Sequence, residues 1–98
     1  MNWQKIAEAI PRDAKNISKV AQIDSAQVCR SWNECAARFL LDGAMRAHEA
    51  INFRDGLLTV SVTDATYLID IRYQQRKIVR SVNQALGTNL VQTVRYLA

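Results

Sequence analysis

Four basic residues in the last third of the chain have a spacing that suits phosphate binding. Arg72, Arg76 and Arg80 recur at every fourth position, and Lys77 lies beside them. On a helix, this spacing places the three arginines in one row, about 6 Å apart per step, close to the spacing of phosphates along a nucleic-acid strand. No acidic residue follows Asp70, so i, i+4 ion pairs cannot account for most of these charges. The pattern predicts polyanion binding, and the plainer interpretation is a solvated helix face.

Residues that commonly carry catalysis or bind metals are few in this sequence. Cys29 and Cys35 lie six positions apart, about 120° from each other on a helix, so they cannot share a metal ion. We expect both to be small apolar side chains in a reducing compartment. We expect the single histidine, His48, to be a half-exposed strand residue without a role. Because the chain also lacks a nucleophile elbow and a Gly-x-x-x-x-Gly-Lys-Ser/Thr loop, we predict no enzyme activity, metal or cofactor.

Length and charge narrow the class of protein. The 98 residues allow one domain, and 49% apolar with 22% charged residues is typical of a soluble globular protein. The net charge is +4, and residues 71–98 contain five basic and no acidic residues, which favours an acidic partner such as nucleic acid. We find no apolar run long enough to span a membrane and no secretory signal, and we therefore expect a cytoplasmic protein without membrane contact.

The first half of the chain contains one clear helical pattern. Asp24 and Gln27 form a capping-box pair, apolar residues then recur at helical spacing, and Gly43 is a natural stop. These signals predict a helix from about 25 to 41. Residues 2–9 are expected to form a short helix that ends before Pro11, followed by another helical turn or two within residues 12–23.

The remaining elements are two strands, a helix and a third strand. Residues 45–53 and 57–62 alternate in polarity around Asp55-Gly56, a dipeptide typical of tight hairpin turns. Thr63 or Asp64 caps a helix that ends at Gly87, with an apolar stripe formed by Leu68, Ile71, Ile78, Val79, Val82 and Leu86. Residues 90–97 read as the third strand. Arg46 and Arg54 are predicted to lie on the hairpin and to extend the basic surface.

This order predicts an α+β domain with α-β-β-α-β topology over residues 24–98, preceded by a helical extension over residues 1–23. Two helices would cover one face of a three-stranded sheet, which is the architecture of KH-like domains. KH domains hold nucleic acid with a Gly-x-x-Gly loop. That loop is absent because the only glycines are Gly43, Gly56 and Gly87, so any nucleic-acid binding must come from side chains.

From residue 28 to residue 96, the sequence resembles the DciA family of bacterial replicative-helicase loaders. The matching features, in chain order, are Trp32, the Asp55-Gly56 turn before a valine-rich strand, Tyr67, Asp70-Ile71, Arg72, Asn83, Gly87, Val91, Val94, Arg95 and Tyr96. Three departures are Cys35-Ala36 instead of a valine-glycine pair, Ala50 instead of a proline, and Tyr67 instead of the usual tryptophan. Family members often carry a basic tail beyond the domain, and this sequence ends at Ala98.

The resemblance implies a non-enzymatic DNA-replication accessory protein. Such a protein binds the hexameric replicative helicase and single- or double-stranded DNA, and it promotes helicase loading. The alternatives are an RNA-binding KH-like module and a protein-interaction domain whose basic face meets an acidic partner. We assign the nucleic-acid contact to Arg72, Arg76, Lys77, Arg80, Arg46 and Arg54. Trp32 and Tyr67 lie near the apolar stripes of their helices, so we expect them to pack in the core and not to stack on bases.

Overall fold

A computed structural model describes residues 23–98, so the helical segments predicted within residues 1–22 lie outside the described residues. The elements follow in the order α1 (Ser25–Ala36), α2 (Asp42–Arg46), β1 (His48–Arg54), β2 (Leu57–Val62), a 3-10 turn (Ala65–Tyr67), α3 (Leu68–Leu86) and β3 (Thr93–Leu97). This order confirms the predicted α+β fold, and the short helix α2 is an addition to it. None of the described helices is long and apolar enough to cross a membrane.

The three strands form one mixed sheet in the order β1-β2-β3. The pair β1-β2 is antiparallel and the pair β2-β3 is parallel, with α3 as the crossover connection between β2 and β3. The central strand directs Leu58, Val60 and Val62 toward the helices, and these side chains are buried together with those of α1 and α3. The helices therefore cover one face of the sheet, as predicted.

The hairpin turn agrees with its sequence signal. Arg54 pairs with Leu57, which leaves Asp55 and Gly56 as a two-residue loop. Both loop residues have positive φ values, 51° for Asp55 and 83° for Gly56. This combination is characteristic of a type I′ turn, whose twist matches that of the flanking strands.

The predicted alternation of β1 is wrong because the strand contains an irregularity. Ala50 pairs with Val60, but Asn52 pairs with Thr59, so Ile51 is an extra residue on β1. His48 and Ala50 are buried, while Ile51 is exposed, and the inward face resumes at the half-buried Phe53. A strict two-residue period cannot continue through a bulge.

Helix α1 also covers the outer edge of the sheet. Its side chains accept hydrogen bonds from β1: Asn33 Oδ1 from the Ala50 N–H at 3.3 Å, and Ser25 Oγ from the Phe53 N–H at 2.9 Å. The backbone of this edge strand is thus paired with side chains and less open to another strand.

Helix α1 begins as predicted and ends earlier. The Asp24 carboxylate accepts from the Gln27 N–H, and the Gln27 side chain accepts from the Asp24 N–H, which forms the expected capping box. The helix ends at Ala36, where i→i−3 bonds tighten the chain and carry Leu40 into the core. The predicted stop at Gly43 is wrong, because this glycine lies inside α2. A Cβ at this position would lie 2.5 Å from the Tyr67 hydroxyl, so Gly43 permits a close approach of the Tyr67 ring.

The core centres on an aromatic pair that corrects the prediction for His48. Trp32 is fully buried, as expected, and its indole Nε1–H donates to His48 Nε2 at 3.0 Å. His48 is 7% exposed, and its Nδ1 lies 2.9 Å from the Ala44 carbonyl. Because an indole only donates and a carbonyl only accepts, this geometry fits a neutral ring with its proton on Nδ1. His48 is therefore a satisfied core residue and is not half-exposed.

Both cysteines are buried and free, which confirms their role as apolar filling. Burial raises the pKa of the Cys29 thiol, with a smaller opposing effect from its hydrogen bond with Ser25.

Candidate nucleic-acid interface

Helix α3 carries the predicted site, and its two ends are well defined. Asp64 accepts from the N–H and the hydroxyl of Thr66 at the 3-10 turn that leads into the helix. These two hydrogen bonds hold the pKa of the Asp64 carboxyl below its usual value. At the other end, Gly87 adopts the left-handed conformation with φ 79°, and its N–H bonds back to the Asn83 carbonyl.

The buried and exposed faces of α3 are those that the periodicity predicts. Ile71, Ile78 and Val82 are fully buried and anchor the helix to the core. The basic row, defined as Arg72, Arg76 and Arg80, is exposed on the outer side. Lys77 is also exposed, but it lies about 100° around the helix from Arg76, so it borders the row and is not part of it.

The charges of the basic row have no carboxylate partner within the described chain. Within residues 23–98, the one ion pair joins Arg54 Nε to Asp55 Oδ2 at 3.7 Å, and both side chains are exposed. Among residues 23–98, no carboxylate pairs with the charges of the row, which favours an anionic ligand.

Arg46 and Arg54 lie on elements other than α3, which carries the basic row. Arg46 is the last residue of α2, so the prediction that it lies on the hairpin is wrong. Arg54 ends β1 and faces Asp55. Arg46 and Arg54 lie at opposite ends of β1, roughly 20 Å apart at the usual rise of a strand. The Arg54 end is close to the start of β3, because the Gly56 carbonyl of the hairpin turn accepts from the Gln92 N–H at 2.9 Å.

Two further arginines were missed by the sequence interpretation. Arg38 follows α1 and donates from Nη1 to Ser81 Oγ of α3 at 3.5 Å, which places a cation at Ser81, one helical turn after Lys77. Arg95 lies on the sheet face away from the helices and donates to the buried Thr59 hydroxyl at 3.5 Å. The early end of α1 brings Arg38 to this position, and no local signal after Ala36 predicted that end.

A polar groove of about 800 Å³ runs along the side of α3 that faces the loop before β3. Amide and hydroxyl side chains provide most of its lining, namely Gln75, Asn83, Gln84, Thr88, Asn89 and Gln92. Arg76 and Arg80 of the basic row lie along the same groove. Two of the three arginines of the row therefore border a concave surface, which no sequence pattern predicted.

Asn83 fixes the shape of the polar groove. Its amide donates to the Val91 carbonyl at 3.1 Å and accepts from the Val91 N–H at 2.9 Å, in the manner of a paired strand residue. The Thr88 N–H also bonds to the Asn83 carbonyl. One residue of α3 thus holds both ends of the loop that returns the chain to β3.

Large apolar side chains are exposed near the start of α3. Leu41, Ile69 and Tyr73, which form the apolar patch, are 83%, 78% and 82% exposed. Leu41 and Tyr73 border a hollow that is also lined by Phe39, Tyr67 and Asp70. Tyr67 packs against the core, as predicted. Ile69 and Tyr73 each lie seven positions before an arginine of the basic row, about 20° apart around the helix, so the apolar patch and the row share the exposed face of α3.

Tyr96 connects β3 to the same helix. Its hydroxyl donates to Gln75 Oε1 at 2.8 Å. Burial raises the pKa of Tyr96 to about 12, against a smaller lowering effect of Arg72. This tyrosine is neutral at physiological pH, so it does not offset the positive charge of the row.

The arrangement of charges among the described residues suits anion binding. In the part of the chain that the structure describes, no three His, Cys, Asp or Glu side chains are grouped to hold a metal ion. His48 is enclosed between Trp32 and Ala44, so it cannot serve as a base for an external substrate.

Comparison with known proteins places the chain in a family. No curated protein matches it. The family model described as "Dna[CI] antecedent, DciA" matches residues 2–96, a span that begins well before the segment on which the resemblance was based. This family is one of accessory proteins associated with helicase loading and is not an enzyme family. Because the match covers nearly the whole chain, the protein belongs to the DciA family.

Proposed function

We propose that this protein is a non-enzymatic replication factor that binds DNA through the basic row and also binds the replicative helicase, whose loading it promotes. The DNA contact is made to the phosphate backbone, because arginines without other recognition elements read charge and not sequence. The observation that carries this proposal is the exposed row of Arg72, Arg76 and Arg80 on α3, without a carboxylate partner among the described residues.

The helicase contact is assigned to the apolar patch. Large apolar side chains that cluster on the surface of a small protein mark contacts with other proteins. Leu41 and Tyr73 are more than four-fifths exposed, and Asp42 and Asp70 lie beside them. Ile69 and Tyr73 lie on the same exposed face of α3 as the basic row, toward the start of the helix, so the helicase contact lies next to the DNA contact.

The DNA contact is tested by reversing charge within the row. Arg76→Glu combined with Arg80→Glu should weaken binding to a fluorescent single-stranded oligonucleotide. The salt slope should flatten by about 1.4, since each neutralised phosphate on a single strand contributes about 0.7. Arg30→Glu, on the exposed side of α1, is the control for charge reversal outside the row. If the double variant is folded and retains the parent's affinity and slope, the row is only a solvated face.

Two further measurements separate the alternatives. Competition between single-stranded DNA and RNA of the same length at fixed salt identifies the preferred nucleic acid, and an RNA preference would favour an RNA-binding module.

Co-purification with the helicase tests the apolar patch. Leu41→Ser combined with Tyr73→Ser should reduce retention of the helicase, while Ile51→Ser, which changes an exposed apolar residue on β1, should not. Equal retention of both variants would place the contact elsewhere.

A further inference from the structure

We propose that the polar groove binds one unstacked nucleobase, with a preference for adenine, from a single strand whose phosphates lie on the basic row. This inference rests on the proposed function and specifies which part of the nucleic acid enters the groove. The row alone predicts binding without base preference, whereas the groove adds a site where one base is read.

The first support is the chemistry of the lining. Gln84 and Asn89 are exposed at the groove, and their amides make no hydrogen bond to another residue within 23–98. Each amide presents a donor and an acceptor side by side. Such a pair matches the N6 donor and N7 acceptor of adenine, the base that Asn and Gln most often bind bidentately.

The second support is that the groove is held in shape before any ligand arrives. Gln75 Oε1 accepts from the Tyr96 hydroxyl, and both amide atoms of Asn83 are bonded to Val91, so these bonds hold the inner wall in place. The left-handed Gly87 and the bond from Thr88 to Asn83 fix the loop that carries Asn89. A ligand that enters a preformed groove loses less free energy to ordering of the protein.

The third support is the position of the basic row along the groove. Arg76 and Arg80 both line it, one helical turn apart. A guanidinium plane can stack on a base and also bind a phosphate. The half-buried Val79 lies between these arginines in sequence and adds an apolar surface for the face of the base. Because a paired base cannot enter such a groove, the ligand is a single strand.

The test compares oligonucleotides that carry equal numbers of phosphates. One consists of about eight thymidines, within the site size of small single-strand binding domains. A second has one central adenine, and a third has one central cytosine. We expect fluorescence anisotropy to show about three- to tenfold tighter binding of the adenine oligonucleotide to the parent protein. The salt slope should be the same for all three, since it reports phosphates alone.

Gln84→Ala combined with Asn89→Ala should abolish the adenine preference and leave the salt slope unchanged. Arg76→Glu with Arg80→Glu should instead weaken all three oligonucleotides. If the parent binds all three equally, or if the amide variant keeps the preference, the base site is overturned while the DNA contact stands. If the parent binds none of them, both proposals fail.

Discussion

The buried pair of Trp32 and His48 carries a large share of the packing of this small core. Trp32→Ala should lower the free energy of unfolding by about 3–5 kcal/mol, because the lost side chain leaves a cavity. His48 Nε2 would also lose its donor. Urea denaturation followed by circular dichroism measures this loss. A variant with unchanged stability that no longer binds nucleic acid would instead identify Trp32 as a base-stacking residue.

Gly43 offers a test of close packing against Tyr67. Gly43→Ala should destabilise the protein by about 1–3 kcal/mol, since the added methyl group would overlap the Tyr67 ring. In a Tyr67→Ala background, the same change should be neutral or stabilising by up to about 1 kcal/mol, because alanine is the better helix former. A double-mutant cycle of unfolding free energies measures the difference. Additive effects of the two changes would refute the contact.

The raised pKa of Tyr96 predicts that the protein loses stability at alkaline pH. Its pKa rises from the ordinary 10.0 to about 12 in the folded protein, because burial penalises the phenolate. The neutral phenol also donates to Gln75. The stabilisation that the protonated Tyr96 gives to the folded protein is therefore complete below pH 10, and it disappears as the pH rises from 10 toward 12.

The matching comparison is between the parent and Tyr96→Phe. Between about pH 9 and about pH 11, the unfolding free energy should fall less for the variant than for the parent, because the variant has no hydroxyl to ionise at this position. Equal losses in the two proteins would show that another group dominates the alkaline transition.

Sequence patterns located the buried apolar residues better than the polar ones. Trp32 was predicted in the core from its position on the apolar stripe of α1, and it lies there. His48 was misread, because its burial depends on the indole donor sixteen residues earlier and on the Ala44 carbonyl. Gly43 was misread for a similar reason: the contact that requires it comes from Tyr67, a residue distant in the sequence.

The loop between α3 and β3 depends on a single amide. Asn83→Ala removes two hydrogen bonds to Val91 and leaves both backbone groups without those partners. We expect a loss of about 1–3 kcal/mol in unfolding free energy. Gln84→Ala, one residue further along the same helix, should change stability by less than about 0.5 kcal/mol. Thermal denaturation of both variants tests this, and similar melting temperatures would show that the Asn83 bonds are dispensable.

Helices and strands were predictable where the signal is local. The capping box of Asp24 and Gln27, the Asp55-Gly56 turn and the Gly87 stop all lie where the sequence places them. The end of α1 at Ala36 and the bulge at Ile51 were not foreseen. Both depend on how the chain must turn to pack against other elements, which short-range periodicity does not encode.

The candidate site was only half visible in the sequence. The exposed face of α3 follows from helical periodicity, so the row of Arg72, Arg76 and Arg80 could be placed in advance. The polar groove could not, because its other wall comes from the loop and Gln92, which the Val91 pairing to Asn83 brings back. The position of Arg46 on α2 was likewise not foreseen, because no local signal marks that short helix.

The apolar patch and the basic row lie along one exposed face of α3, and this has a thermodynamic consequence. DNA on the row and helicase on the patch would be neighbours, and each would cover part of the surface that the other approaches. The coupling free energy between the two binding events should therefore be unfavourable, and by linkage each ligand weakens the affinity of the other by the same factor. Calorimetric titration of helicase into the protein should give a Kd that is at least about fivefold higher with saturating oligonucleotide than without it. A change of less than about twofold would mean that the two ligands do not meet on α3.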